Sequence, residues 1–122
     1  MARVLVIDDD PIFREIAQEL MSEAGHEVML AENGAVAQRL PDDPAPDLAI
    51  VDMLMPERDG IQTIGDLKAR WPTIKLVAVS AGARGLEPGL LLRTAQGLGV
   101  DLTVQKPFET AAFAHLVKTL LG

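Results

Sequence analysis

The chain contains no cysteine. Disulfides, thiolate metal sites and thiol nucleophiles are therefore excluded. It has no tyrosine, one tryptophan and three phenylalanines, so its core must be aliphatic, built from Leu, Ile, Val, Ala and Met. No apolar run approaches the roughly 20 residues that a membrane span requires. The N-terminus lacks the charged, apolar and cleavage regions of a signal peptide. Positive charge is also in deficit: 11 Lys and Arg stand against 18 Asp and Glu, a net charge of −7. That balance argues against direct contact with nucleic acid or an anionic membrane, both of which need basic patches. Internal repeats, low-complexity tracts and linkers are missing too. These absences lead to the expectation of a soluble, cytoplasmic chain.

What is present is a chain of 122 residues, 48% of them apolar, which reads as one domain over residues 1–122. That length buries roughly two-thirds of its unfolded surface. Five short apolar runs alternate with five helical patterns. Arg3–Ile7, Val28–Ala31, Leu48–Val51, Lys75–Val79 and Val100–Val104 read as strands, the last made irregular by Asp101 and Thr103. Asp10 and Pro11 suit the cap and first turn of a helix. Along that helix Ile12, Ile16 and Leu20, with Phe13, Ala17 and Ala24, recur at helical spacing before Gly25 stops it. A second helix is expected from Asn33 or Gly34 to Leu40. A third follows the loop that runs to Asp59-Gly60, carries Ile61, Ile64, Leu67 and Trp71 on one side, and is ended by Pro72. A fourth covers Leu90–Leu98. The last places Phe113, Leu116, Val117, Leu120 and Leu121 on one face. Five strand–helix alternations imply a parallel sheet with right-handed crossovers and helices on both faces. The sequence ends with the last helix, so no separate output domain is expected within it.

The polar residues fall where these strands end. Asp8 and Asp9 follow strand one, Asp52 follows the run Leu48–Val51, Ser80 ends strand four and Lys106 follows strand five. Parallel α/β sheets place ligands at that C-terminal edge. Singly, each residue has a plain structural role: helix capping, turn formation or a surface lysine. Jointly they require five polar groups to converge by accident. If strands one, three and four are neighbours, three carboxylates crowd one crevice. Two such charges ~5 Å apart repel by about 3 kcal/mol at an effective dielectric near 20, so the cluster calls for a cation. Hard oxygen ligands suit Mg²⁺.

The acidic pair Asp8-Asp9, Asp52 with Met53-Leu54-Met55-Pro56 and Asp59-Gly60 downstream, Ser80-Ala81, and Lys106-Pro107-Phe108 together resemble the response-regulator receiver family of two-component signalling. The resemblance covers essentially the whole chain. It implies a flavodoxin-like, doubly wound five-stranded sheet in the order 2-1-3-4-5 with five helices. It also implies that Asp52 accepts a phosphoryl group from a phosphohistidine on a sensor histidine kinase or a histidine phosphotransfer protein. Asp9 and Asp52 would hold Mg²⁺ with the backbone carbonyl of Leu54, and Asp8 would act mainly through a water on the metal. Ser80 would hydrogen-bond one phosphoryl oxygen and Lys106 would pair with another. Lys106-Pro107 is expected to be cis on the same ground. The output would go to a downstream effector protein or a fused output domain. Such a chain is a phospho-acceptor that promotes its own phosphorylation and slow dephosphorylation, not a turnover enzyme.

Three features depart from the family pattern. Thr103 stands where the family usually carries an aromatic switch, so signalling is expected to use the segment from Gly82 through Gly85 and Gly89, whose permissive backbones can hinge. Leu54 and Gly82 replace polar groups that orient the hydrolytic water, which predicts a long-lived acyl phosphate. Leu90, Leu91 and Leu92 cannot all face inward. Either one is a scattered surface apolar group, or the face is a patch for a partner or a homodimer.

Rival readings have less support. A haloacid-dehalogenase-type phosphohydrolase needs an acid where Leu54 stands. A nucleotide site needs a Gly-rich turn after strand one. A phosphorylation-independent interaction module on the same scaffold remains the alternative, kept open by Thr103. His26 and His115 lack ligand spacing.

Overall fold

The computed structural model describes residues 1–53, 60–81 and 88–122, the side chains of residues 88–91 excepted. The elements run β1 (Arg3–Ile7), α1 (Pro11–Glu23), β2 (Glu27–Ala31), α2 (Gly34–Gln38), β3 (Leu48–Asp52), α3 (Gly60–Arg70), β4 (Lys75–Ser80), α4 (Pro88–Gly97), β5 (Leu102–Gln105) and α5 (Thr110–Leu121). All strand pairings are parallel and the order is β2-β1-β3-β4-β5. The expected fold class, order and helix count are all observed.

Because successive strand residues point to opposite faces, β1 feeds two cores. Val4 and Val6 pack with Leu48, Ile50, Val77 and Val79 against Phe13, Ala17 and Met21 of α1 and Phe113 and Val117 of α5. Leu5 and Ile7 pack with Ala49, Val51, Leu76 and Ala78 against Ala37, Ile64, Leu67, Leu92 and Ala95 from α2, α3 and α4, and against Trp71 just after α3. The inner strands are buried on both sides, which explains their near-continuous apolar runs.

Several boundaries and faces differ from the sequence reading. In α1 the buried stripe is Phe13, Ala17 and Met21, whereas Ile12 is 67% and Ile16 40% exposed. Both stripes have helical spacing and lie about one residue apart in phase; contact with the sheet selects one. The same choice leaves Ile61 of α3 and Leu116 of α5 exposed and buries Thr63. Helix α2 ends early because the amides of Arg39 and Leu40 bond to Val36 and Ala37, three residues back. Helix α4 begins at Pro88, a proline at the first helical position.

Strand β5 starts at Leu102 because Val100 and Asp101 are otherwise engaged. The Val100 amide donates to Ala95. Asp101 donates its amide to the Leu76 carbonyl and accepts the Leu76 amide on Oδ2 at 2.8 Å. Gly25, at φ 88°, closes α1 in the left-handed conformation that favours glycine.

Gly82, Gly85, Leu54 and Asp59 lie outside the described residues, as do the side chains of Leu90 and Leu91; Gly89 falls inside α4 and Leu92 is buried. Thr103 is half-buried on the α4 side, where Gln96 Nε2 donates to its Oγ1 at 3.4 Å.

Candidate functional site

The register fixes which strand ends meet. Ile7 lies opposite Ala31 and Val51, Asp52 opposite Val79, and Ser80 opposite Gln105. The chains leaving β1, β3, β4 and β5 therefore emerge along one edge. Backbone bonds then hold the exits: Asp8 N–H to Ala31 O at 3.1 Å, Met53 N–H to Val79 O at 2.9 Å, and Lys106 N–H to Ser80 O at 2.9 Å.

Asp8, Asp9 and Asp52 are brought together, with a carboxylate oxygen of each within 4.8 Å of the others. Asp9 is exposed, Asp8 has no solvent exposure and Asp52 is 7% exposed. Ser80 is fully buried, and Ser80 and Asp52 each have interaction partners. Lys106 reaches back to Asp8, its Nζ donating to Oδ2 at 2.7 Å. The other Asp8 oxygen accepts the Asp10 amide at 2.9 Å. Asp10 in turn caps α1 by accepting the Ile12 amide, as the sequence leads one to expect.

Burial pushes the Asp8 carboxyl above its ordinary value of 3.8, against the opposing pulls of the Lys106 ammonium and the Asp10 amide. Burial thus works against the charged form of Asp8, while the Lys106 ammonium and the Asp10 amide favour it. Three convergent oxygen donors with one fixed ammonium beside them fit a small hard cation of the Mg²⁺ type.

The Lys106–Pro107 peptide is cis, as the family resemblance implies. The expected Leu54 carbonyl ligand lies outside the described residues.

Two neighbours of the site escape a reading based on strand ends. Arg14 donates to the Asp8 carbonyl at 2.7 Å. The Phe13 ring lies under Lys106, its centroid 4.2 Å from Nζ. Both belong to α1: Phe13 is far from Lys106 in sequence, and Arg14, six positions after Asp8, lies off the strand ends. The only available clue is that aromatics are so few.

The chain is similar to known proteins in sequence and in fold. A relative, the chemotaxis protein CheY of Listeria monocytogenes, is 29% identical over 111 residues, covering 89% of each chain. The transcriptional regulatory protein CpxR of Escherichia coli is 32% identical over 121 residues, covering 99% of this chain and 50% of CpxR. The chain thus spans about half the length of that regulator. Among solved structures, the response regulator TrrA of Thermotoga maritima, determined in complex with Mg²⁺–BeF, is 30% identical with a TM-score of 0.77, covering 98% of this chain and 99% of TrrA. A CheY-like receiver domain from Methanospirillum hungatei has a TM-score of 0.86 at 21% identity, covering 99% and 94%, a likeness of fold. The family model for the response regulator receiver domain matches residues 4–118, and the chain belongs to that family.

Proposed function

We propose that Asp52 is the phospho-acceptor of a two-component phosphorelay. The observation that carries this reading is the convergence of Asp8, Asp9 and Asp52 within 4.8 Å, with Lys106 drawn into the same cluster. A carboxylate oxygen of Asp52 attacks the phosphorus of a phosphohistidine. The new P–O bond forms as the P–N bond breaks, and the leaving imidazole keeps the electron pair and takes up a proton. Carboxylates serve as nucleophiles of this kind. Asp52 is the last residue of β3, a rigid position that would orient its carboxylate before the donor arrives.

Ser80 donates to one phosphoryl oxygen and Lys106 pairs with another. Asp8, Asp9 and Asp52 would hold Mg²⁺, which supplies charge neutralisation at the transferring group. TrrA, the 30%-identical relative, was solved with Mg²⁺–BeF, which supports the same ligand class here. The donor would be a histidine kinase or histidine phosphotransfer protein, and the receiver's altered surface would act on an effector or output domain. The reaction stops at the acyl phosphate, which then hydrolyses slowly.

Incubation with acetyl phosphate and Mg²⁺, followed by intact-mass measurement, tests the proposal. Wild type should gain the mass of one phosphoryl group and Asp52→Asn none. Equal labelling of the two refutes Asp52 as the acceptor; labelling of neither refutes it and favours a phosphorylation-independent interaction module.

A further inference from the structure

All three phenylalanines of the chain stand in one column that ends at the site. Phe113 of α5 is 1% exposed and stacks on Phe108 at 4.5 Å between centroids, with 22° between planes. Phe108 meets Phe13 of α1 edge to face at 5.8 Å and 89°. The face of Phe13 carries the Lys106 ammonium at 4.2 Å, and that ammonium donates to Asp8.

We infer that Phe13 is a positioning residue for Lys106: its ring face holds the ammonium in the site while leaving its hydrogen bonds available to the phosphoryl group. This rests on the reading of Lys106 as a phosphoryl-pairing group. A lysine stem has many rotamers and loses much freedom when confined. A carboxylate can confine it, but only by occupying a donor. An aromatic face attracts the cation through its quadrupole and takes no strong hydrogen bond in return. The ammonium can thus turn from Asp8 toward a phosphoryl oxygen without leaving the ring.

The ring itself is well seated, 7% exposed and braced by Phe108. A purely packing role would be filled equally well by an aliphatic side chain. What departs from packing alone is a cation centred over a buried face.

The test uses the full chain. In wild type, the Lys106 ε-methylene protons should resonate upfield of those of the other lysines, since they adjoin the Nζ that lies over the ring; unshifted protons overturn the inference without any variant. Phe13→Leu should abolish that shift and slow acetyl phosphate labelling of Asp52 about three- to tenfold, and Phe13→Tyr should restore both. In a Lys106→Met background, Phe13→Leu should cause no further slowing. Additive losses in that double mutant, or equal rates for wild type and Phe13→Leu, overturn it. Should Phe13→Leu fail to fold, the wild-type shift and Phe13→Tyr decide. Absence of any Asp52 label in wild type would refute the phospho-acceptor reading instead, and the proton shifts would still judge the ring contact.

Discussion

Lys106 Nζ lies 2.7 Å from Asp8 Oδ2 although 98 positions separate the two residues. The carboxylate end of this pair is almost completely buried and the ammonium end partly so. Burial outweighs the pairing, and the Asp8 carboxyl stays raised above 3.8. A carboxyl raised in the folded state contributes stability that is full below its unfolded value and is lost as pH climbs through the folded one. At neutral pH, Asp8 therefore leaves the metal-free fold less stable than it is at acid pH. Asp8→Asn should raise the thermal midpoint of Mg²⁺-free protein at neutral pH, with the gain shrinking as pH falls toward 3.8. Thermal unfolding across that range checks the sign.

Lys106→Met should do the opposite. It strands the buried charge, and loss of one partner of a charged hydrogen bond costs about 1–3 kcal/mol. Denaturant unfolding at neutral pH should show that loss, and at acid pH, where Asp8 is neutral, it should diminish.

Magnesium should stabilise wild type by mass action, about 2.7 kcal/mol when its concentration is 100 times the dissociation constant. Asp9→Asn and Asp52→Asn should each reduce that gain, since both carboxylates belong to the cluster. Melting curves with and without Mg²⁺ measure it, and chelation should reverse it.

Gly60 opens α3 against the end of β3. A Cβ there would stand 2.6 Å from Met53 Cα and 2.7 Å from the Asp52 carbonyl oxygen. Both are backbone atoms that cannot swing aside, so Gly60→Ala should destabilise by about 1–3 kcal/mol, as overpacking does. It should also weaken Mg²⁺ stabilisation, because the displaced segment carries Asp52. Urea unfolding and a Mg²⁺ titration of the same variant separate the two effects.

At the opposite edge of the sheet, Arg70 clamps the turn after α2. Its guanidinium donates to the carbonyls of Ala37 and Leu40 and to Asp42 Oδ1, and it stacks over Trp71. Arg70→Ala should cost about 1–2 kcal/mol through these charge-assisted bonds, and Arg70→Lys should recover only part, lacking the planar fork. Labelling of Asp52 should not change, since the clamp lies at the far end of the strands.

Most of the architecture was legible because strand and helix periods differ and the turns carry Pro and Gly. Five alternations specify a parallel sheet almost without reference to packing. Even so, β5 begins two residues later than its apolar run suggests, because the Asp101 carboxylate takes the amide of Leu76. That bond depends on which strand lies alongside. The phase of α1 was illegible for a related reason: Ile12/Ile16 and Phe13/Ala17 are both valid stripes, and only the sheet chooses between them.

The chemistry divides in the same way. The chain order alone determined that acids, a serine and a lysine terminate successive strands, since a parallel sheet gathers its C-terminal ends along one edge. Only the tertiary structure decided that Lys106 turns to Asp8 and rests on Phe13. Contacts between residues so far apart arise from strand order and helix phase, which no local pattern encodes.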